Sequence, residues 1–524
     1  MKKLLLFFYF SLFVFHFSIS QNVGVGTTTP AAKLHIKGST DTSQLVIDAA
    51  NTQNNTWPLI RLRKNDGTDL MWIHSDDTSN VFIGRNVGIR NTATISGGNN
   101  NTFIGSRSAF SNTSGSLNTA IGGNSFYFNT TGDANTANGM GSLRLNTTGQ
   151  YNTALGTSAL RSNTVGIENT AVGSFALYYN TNGGDNTVAG VTALFLNSTG
   201  SYNTAVGYSS LYFNTTGSNN AVFGVEALYK NTLGNNNTAS GFQALYENTT
   251  GSYNVAIGSQ SLFKNTTGGL NAGLGFDVLH YNTTGQQNVA IGNFSLGNLL
   301  NSSNNTVVGE GAGSGTIYYM GWNNTLIGTN SVANAAGIFN TIAIGKSSQT
   351  TASNQARIGN SFTASIGGFA GWSNISDGRV KENIRDNVPG LAFLTKLKPV
   401  TYNLNLNEAD RIMQTPLVKN INGEIIPVSL FEADARKQKE QMLYTGFIAQ
   451  DVEKTAKDIG FDFSGVDAAK NDLYLYGLRY EEFVVPLVKA AQELSVRNEQ
   501  LKKQQEEMKQ RLEKLEIVLN LKNK

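Results

Sequence analysis

Asn101-Thr102-Phe103-Ile104-Gly105 returns seventeen residues later as Asn118-Thr119-Ala120-Ile121-Gly122. The Asn recurs at 135, 152, 169, 186, 203, 220, 237, 254, 271, 288 and 305, and all thirteen copies keep Gly in fifth place, from Gly105 to Gly309. Eleven of them hold a second signature, Asn eleven places after the first (Asn112, Asn129, Asn146 through Asn282), with Gly three places further on (Gly115 through Gly285). A Leu column occupies one more register, from Leu143 to Leu296, and the next position is often aromatic, as in Tyr178, Phe195, Tyr212, Tyr229, Tyr246 and Phe263.

Such a repeat is too short to bury a core by itself, but stacked coils can, because each Leu meets the Leu above and below. Burying one Leu contributes roughly 2 kcal/mol. Thr and Ile alternate about a small Ala, as along a strand. Gly permits the positive φ of sharp corners, and Asn tolerates it best among the rest. Helical hairpins fit so much Asn, Thr and Gly poorly. The fold class expected is mainly β: a repetitive β-solenoid shaft of thirteen coils, near 60 Å long at about 4.8 Å per coil, with Asn side-chain ladders along it. The repeat resembles the Asn-Ser-Val-Ala-Ile-Gly-type coils in the heads of trimeric autotransporter adhesins, which implies a β-roll packed as a trimer.

The shaft is poor in chemistry. Only eleven charged residues fall within 101–309. Glu226 and Asp277 share a register three coils apart, about 14 Å, beyond the ~5–9.5 Å of a glycosidase carboxylate pair. Glu168 and Asp185, on adjacent coils, fall within that reach, although a solvated loop pair is the simpler reading. His16, His35, His74 and His280 have no metal-ligand spacing, so neither metal nor cofactor is expected. The aromatic column serves packing or stacks on sugars, packing being favoured.

Working outward, residues 21–100 read as a β-rich cap or attachment segment, with strands at Asn22–Gly26, Leu34–Ile36, Leu59–Leu62 and Met71–Ile73. Residues 310–375 continue degenerate repeats. Met1-Lys2-Lys3, the apolar run Leu4–Phe17 and the small residues Ser18-Ile19-Ser20 have the layout of a secretory signal peptide. No other apolar run is long enough to span a membrane, so the mature chain is expected to be secreted or at the cell surface. Across all 524 residues, charged residues make up 14%, Cys is absent and the net charge is +3. That excludes disulfides, thiolate zinc sites and cysteine nucleophiles, and makes nucleic acid a poor partner.

At Ser376 the composition changes: 46 of the last 149 residues are charged. Residues 376–486 read as an α+β domain and 487–524 as a coiled coil. Its heptad seam runs through Leu487, Ala491, Leu494, Asn498, Leu501, Gln505, Met508, Leu512, Leu515 and Leu519. The alternative is an amphipathic helix packed on its own domain, and the heptads do not separate dimer from trimer.

The junction reads Ile375-Ser376-Asp377-Gly378-Arg379-Val380-Lys381-Glu382-Asn383-Ile384. Taken alone, Ser376-Asp377 is a helix N-cap or turn. With Tyr444–Glu453 and Tyr480–Ala490, however, this stretch resembles the self-cleaving intramolecular chaperone that ends phage endosialidase tailspikes. The resemblance implies a homotrimer and a Ser-Lys dyad. Ser376 would be the nucleophile, Lys381 the general base, and the Ile375–Ser376 bond would be cut, with Asp377, Arg379 and Asn383 as supporting residues. Lys serves as a base only where burial or nearby cations lower its pKa. Arg379 could help by repulsion, whereas Asp377 is better suited to orienting backbone. The implied function is a tail-fibre-like or adhesin-like protein meeting a cell-surface or glycan ligand. Two rivals stay open: a fibre whose trimerisation domain remains attached, and a glycan-degrading shaft.

Overall fold

The computed structural model describes residues 23–522 apart from 28, 39–44, 50–53, 315–320, 370–372 and 416–429. The leader expected at 1–20 lies outside the described residues.

Strand Val23–Val25 pairs in parallel with Leu34–Ile36. Ile60–Arg63 and Asp69–His74 form a hairpin whose second strand pairs antiparallel with Val81–Ile83. From Val81 onward the pairing is parallel and in register: Val81 opposite Thr102, Thr102 opposite Thr119, and so on to Ala356–Ile358 against Ile342–Ile344. The solenoid therefore spans 81–358, extending the 101–309 read from the exact repeat. Asn80-Val81-Phe82-Ile83-Gly84 opens the stack one coil early, at a step of 21 residues instead of seventeen.

Each repeat is one coil with one three-residue strand. The middle residue points inward, and Ala120, Ala137, Ala154 and their successors are fully buried, as is the Leu column from Leu143 to Leu296. The flanking strand residues face out. Two Asn columns run inside. Asn135 Nδ2 donates to Asn118 Oδ1, and Asn129 Nδ2 donates to Asn112 Oδ1 at 2.6 Å. Most of these Asn also donate to a glycine carbonyl, as Asn135 does to Gly149 and Asn129 to Gly132, while Asn288 donates to the Ser302 carbonyl. Within the columns the buried amides are thus satisfied by repetition of their own kind, the side-chain ladder that an in-register array permits. The second column ends at Asn282, whose Oδ1 has no partner among the described residues.

The corners are built differently from the sequence reading. Gly105 does take a positive φ of 124°, and a Cβ there would fall 2.7 Å from the carbonyl of Gly122. The second glycine needs no positive φ. At Gly132 a Cβ would fall 2.5 Å from Asn129 Oδ1, so this glycine makes room for the ladder. Beside the Gly105 column, many further positive-φ positions are non-glycine, including the Leu column itself at φ 46–55°. That conformation costs an L-residue about 1–2 kcal/mol. Here it turns backbone N–H groups along the rod, so that Leu194 donates to the Ser210 carbonyl of the next coil at 2.8 Å. Inter-coil hydrogen bonds and Leu burial offset the strain.

The C-terminal domain holds helices α1 (Leu391–Leu394), α2 (Leu406–Met413), α3 (Leu430–Gln441), α4 (Ala449–Asp458) and α5 (Val484–Lys522). Strand Val400–Tyr402 pairs antiparallel with Tyr444–Gly446. Phe393, Val452, Ala456, Phe463 and Phe483 form its core. α5 packs only by its first turns, where Pro486 and Ala490 are buried. Gly390 lets α1 approach, since a Cβ there would meet Ala490 N at 2.5 Å. Beyond that α5 stands clear of its domain, with Leu494, Leu501, Met508, Leu512, Leu515 and Leu519 at least half exposed. No helix among the described residues is long and apolar enough to cross a membrane.

Candidate functional site

The junction follows the last coil as an exposed strand of chain that ends in one tight turn. Asp377 caps the 3-10 turn Gly378–Val380, its carboxylate accepting from the backbone N–H of Arg379 at 2.9 Å. The same carboxylate takes the Arg379 guanidinium, at 3.0 Å from Nε and 2.5 Å from Nη2. This hydrogen-bonded pairing holds the Asp377 carboxyl below its ordinary range and raises Arg379. The turn folds the chain back so that Lys381 Nζ donates to Ser376 Oγ at 2.7 Å. Asp377 thus faces Arg379 and the turn backbone, and the charge of Arg379 is engaged by Asp377. Asn383 is left-handed, at φ 54°. Residues 373–387 are all exposed, Ile375 to 89%.

Chemically, a hydroxyl in hydrogen-bond contact with an amine can act as a nucleophile if that amine takes its proton. A lysine works as a base only after losing its proton.

The shaft carboxylates converge on nothing comparable. Glu226 accepts from Gln243 Nε2 at 2.8 Å, and Asp277 pairs with His280. Glu168 and Asp185 both sit on left-handed corners at φ 58°. The rings from Tyr178 to His280 stack face to face with centroids 5.0–5.3 Å apart. A sugar stacks on a ring face, and along this column each face is covered by the next ring. Among the described residues, no three His, Asp or Glu are grouped to hold a metal.

A second constellation has no sequence signature. The C-terminal domain is seated on the last coils. Asn334 Nδ2 donates to the Met413 carbonyl at 2.8 Å and the Gln414 carbonyl at 3.2 Å, and Gln349 Nε2 also donates to Met413. These are end carbonyls of α2, which a helix leaves unpaired. Lys439 Nζ donates to the Thr363 carbonyl and Asn471 Nδ2 to the Thr351 carbonyl, both at 2.7 Å. Arg357 lies over the Tyr474 ring, 5.5 Å from its centroid. Burial lowers the pKa of both Arg357 and Lys439.

Residues 376–461 match the family described as chaperone of endosialidase. The match begins at Ser376 and takes in Tyr444–Glu453, while Tyr480–Ala490 falls beyond it. No curated protein matches the chain. A β-solenoid shaft is thus joined to a chaperone-of-endosialidase segment in a fibre-like layout.

Proposed function

We propose that this chain is an exported, trimeric fibre or adhesin-like protein whose C-terminal domain aligns three copies and then cuts itself away between Ile375 and Ser376. The observation that carries this reading is the 2.7 Å contact of Lys381 Nζ with Ser376 Oγ, at the first residue of the family match.

In the step proposed, the neutral Lys381 amine takes the Ser376 hydroxyl proton while Oγ attacks the Ile375 carbonyl carbon. The Ile375–Ser376 C–N bond breaks, and the Ser376 nitrogen leaves with the proton returned by Lys381. The resulting ester between Ile375 and Ser376 Oγ is hydrolysed by one water. The products are an Ile375 carboxylate and a fragment that begins at Ser376 with a free amine. Asp377 holds the turn that sets the approach.

Two surfaces support the trimer. The seam of α5 is uncovered by its own domain. On the shaft, the third strand position presents Leu155, Val172, Val206, Phe223, Ile257 and Leu274, each more than a third exposed, on a sheet face without charge. A row of exposed apolar residues of this kind suits an interface between chains. Assembly would also dry the junction, where Ile375, Val380 and Ile384 stand exposed beside the dyad. The need for alignment follows from the repeat: near-identical coils can pair one whole repeat out of step. Cleavage after alignment separates the folded shaft from its template and gives kinetic stability.

Intact-mass analysis of secreted wild type and Ser376→Ala tests the reading. A fragment of the mass of 376–524 is expected from wild type only. Wild type that is trimeric yet stays full length contradicts it and favours the permanently attached domain.

A further inference from the structure

We infer that cutting the Ile375–Ser376 bond does not by itself free the C-terminal fragment. The fragment stays latched on the last coils of the shaft, and its departure is a separate, non-covalent step. The inference rests on the cleavage reading above for its setting, but its contacts are independent of the dyad.

The junction and the latch are different places. The bond at 375–376 lies in the exposed stretch 373–387, which among the described residues makes no hydrogen bond to the shaft. The hold is made elsewhere, by α2, α3 and the loop carrying Asn471 and Tyr474, on shaft residues 334–363. Severing the tether leaves every one of these contacts in place.

The shaft side is built to receive them. Asn334 and Gln349 are buried to within 5% of full enclosure, and Thr350 and Thr351 fully. Asn334 and Gln349 converge on one carbonyl, that of Met413, at the end of α2. Gln414 turns left-handed there, at φ 48°, and its own carbonyl also faces Asn334. Arg357, on the final strand of the stack, is sandwiched by chemistry from both parts of the domain: Met413 Sδ lies 3.4 Å from Nη1, and the Tyr474 ring lies beneath the guanidinium. Lys439 reaches the Thr363 carbonyl, and Arg436 lies over the Phe362 ring at 5.8 Å.

While the chain is intact, the tether holds the two faces together at an effective concentration in the millimolar range. Once it is cut, the latch must hold by its own affinity. It is an interface between domains of one chain, built of side-chain to carbonyl hydrogen bonds and cation-ring contacts, and such interfaces are of the transient kind. Retention at micromolar concentration and loss on dilution is the behaviour to expect. The ligand of the shaft end is therefore the chain's own fragment, and the end coil stays covered until that fragment departs.

The full chain tests this. Wild type cleaved during expression is passed through a sizing column at falling concentration, with intact masses read across the peak. A parallel Ser376→Ala chain, carrying a site-specific protease sequence within 364–369, yields a shaft piece and a domain piece that differ from the self-cleaved ones only by the few residues between the two cuts, without the dyad. In both, the pieces are expected to co-elute at micromolar concentration. Arg357→Ala on the shaft and Lys439→Ala on the domain each weaken the hold about tenfold, moving separation to higher concentration. Pieces that separate at once in the protease-cut chain, at concentrations where the shaft stays folded by circular dichroism, overturn the latch. Absence of self-cleavage in wild type with co-elution in the protease-cut chain overturns the cleavage reading and leaves the latch standing.

Discussion

Lys381 Nζ donates a 2.7 Å hydrogen bond to Ser376 Oγ across a turn capped by Asp377. The direction matters: for cleavage the same contact must reverse, with the Ser376 hydroxyl donating to the amine. Lys381→Arg keeps the charge and the reach but not the ability to give up a proton. Self-cleavage is expected to slow at least 100-fold in this variant, in the range attributed to acid-base catalysis. Trimer formation by light scattering is expected to be unchanged.

Gly200 shows how a glycine of ordinary φ can still be indispensable. A Cβ there would fall 2.4 Å from Asn197 Oδ1 and 2.4 Å from the Gly217 carbonyl. Gly200→Ala is expected to destabilise the shaft by about 2 kcal/mol, the usual scale of overpacking. Thermal unfolding monitored by circular dichroism measures it.

The two Asn ladders end on one carboxylate. Asp76 Oδ1 accepts from Asn80 Nδ2, which heads the first ladder, and Asp76 Oδ2 accepts from Asn91 Nδ2, which heads the second, each at 2.9 Å. Donation runs toward this end in both columns, through the backbone N–H of Asn101 and Asn118 and the amides from Asn135 onward in the first and through the amides from Asn112 onward in the second, so the negative charge meets the positive ends of two rows of dipoles. Asp76→Asn removes the charge and sets an amide N–H₂ against other donors. It is expected to cost about 2 kcal/mol and to loosen the first coils in hydrogen exchange while leaving the central coils protected.

His74 lies beside that cap, its Nδ1 3.1 Å from Asn55 Oδ1. The Asn55 amide is already donating to Asp76, so Nδ1 carries the proton. Burial lowers the His74 pKa from its ordinary value, and the Asp76 carboxylate offsets this in part. The unfolded chain therefore binds a proton more readily than the folded one. Stability of the N-terminal coils is full above about pH 6.5 and falls as pH drops from there through the lower folded value. Melting of wild type at pH 7.5 and 5.5 is expected to show this loss, and His74→Gln to flatten it.

Much of this was legible in the chain because a buried side-chain ladder tolerates no change of spacing. Asn101 to Asn305 keep one period, and each Asn meets its copy. The coil opened by Asn80 was harder to see, since four extra residues break the period while the Asn-x-x-Ile-Gly pattern survives. The left-handed Leu column was not legible at all: Leu is a poor choice for positive φ on local grounds, and only the neighbouring coils make it acceptable. Ser376 and Lys381 were singled out from a family likeness, and the fold adds their contact. The latch on Arg357, Asn334 and Gln349 was out of reach, because two of its acceptors are backbone carbonyls that any residue would supply.

The central claim is that a shaft of repeated coils relies on the C-terminal domain to come into alignment. The most direct measurement is refolding from denaturant of residues 21–375 alone beside the full chain, followed by sizing and heat challenge. The account predicts heat-resistant trimers from the full chain and misaligned or aggregated material from 21–375. Native, heat-resistant trimers assembled by 21–375 without help would contradict it.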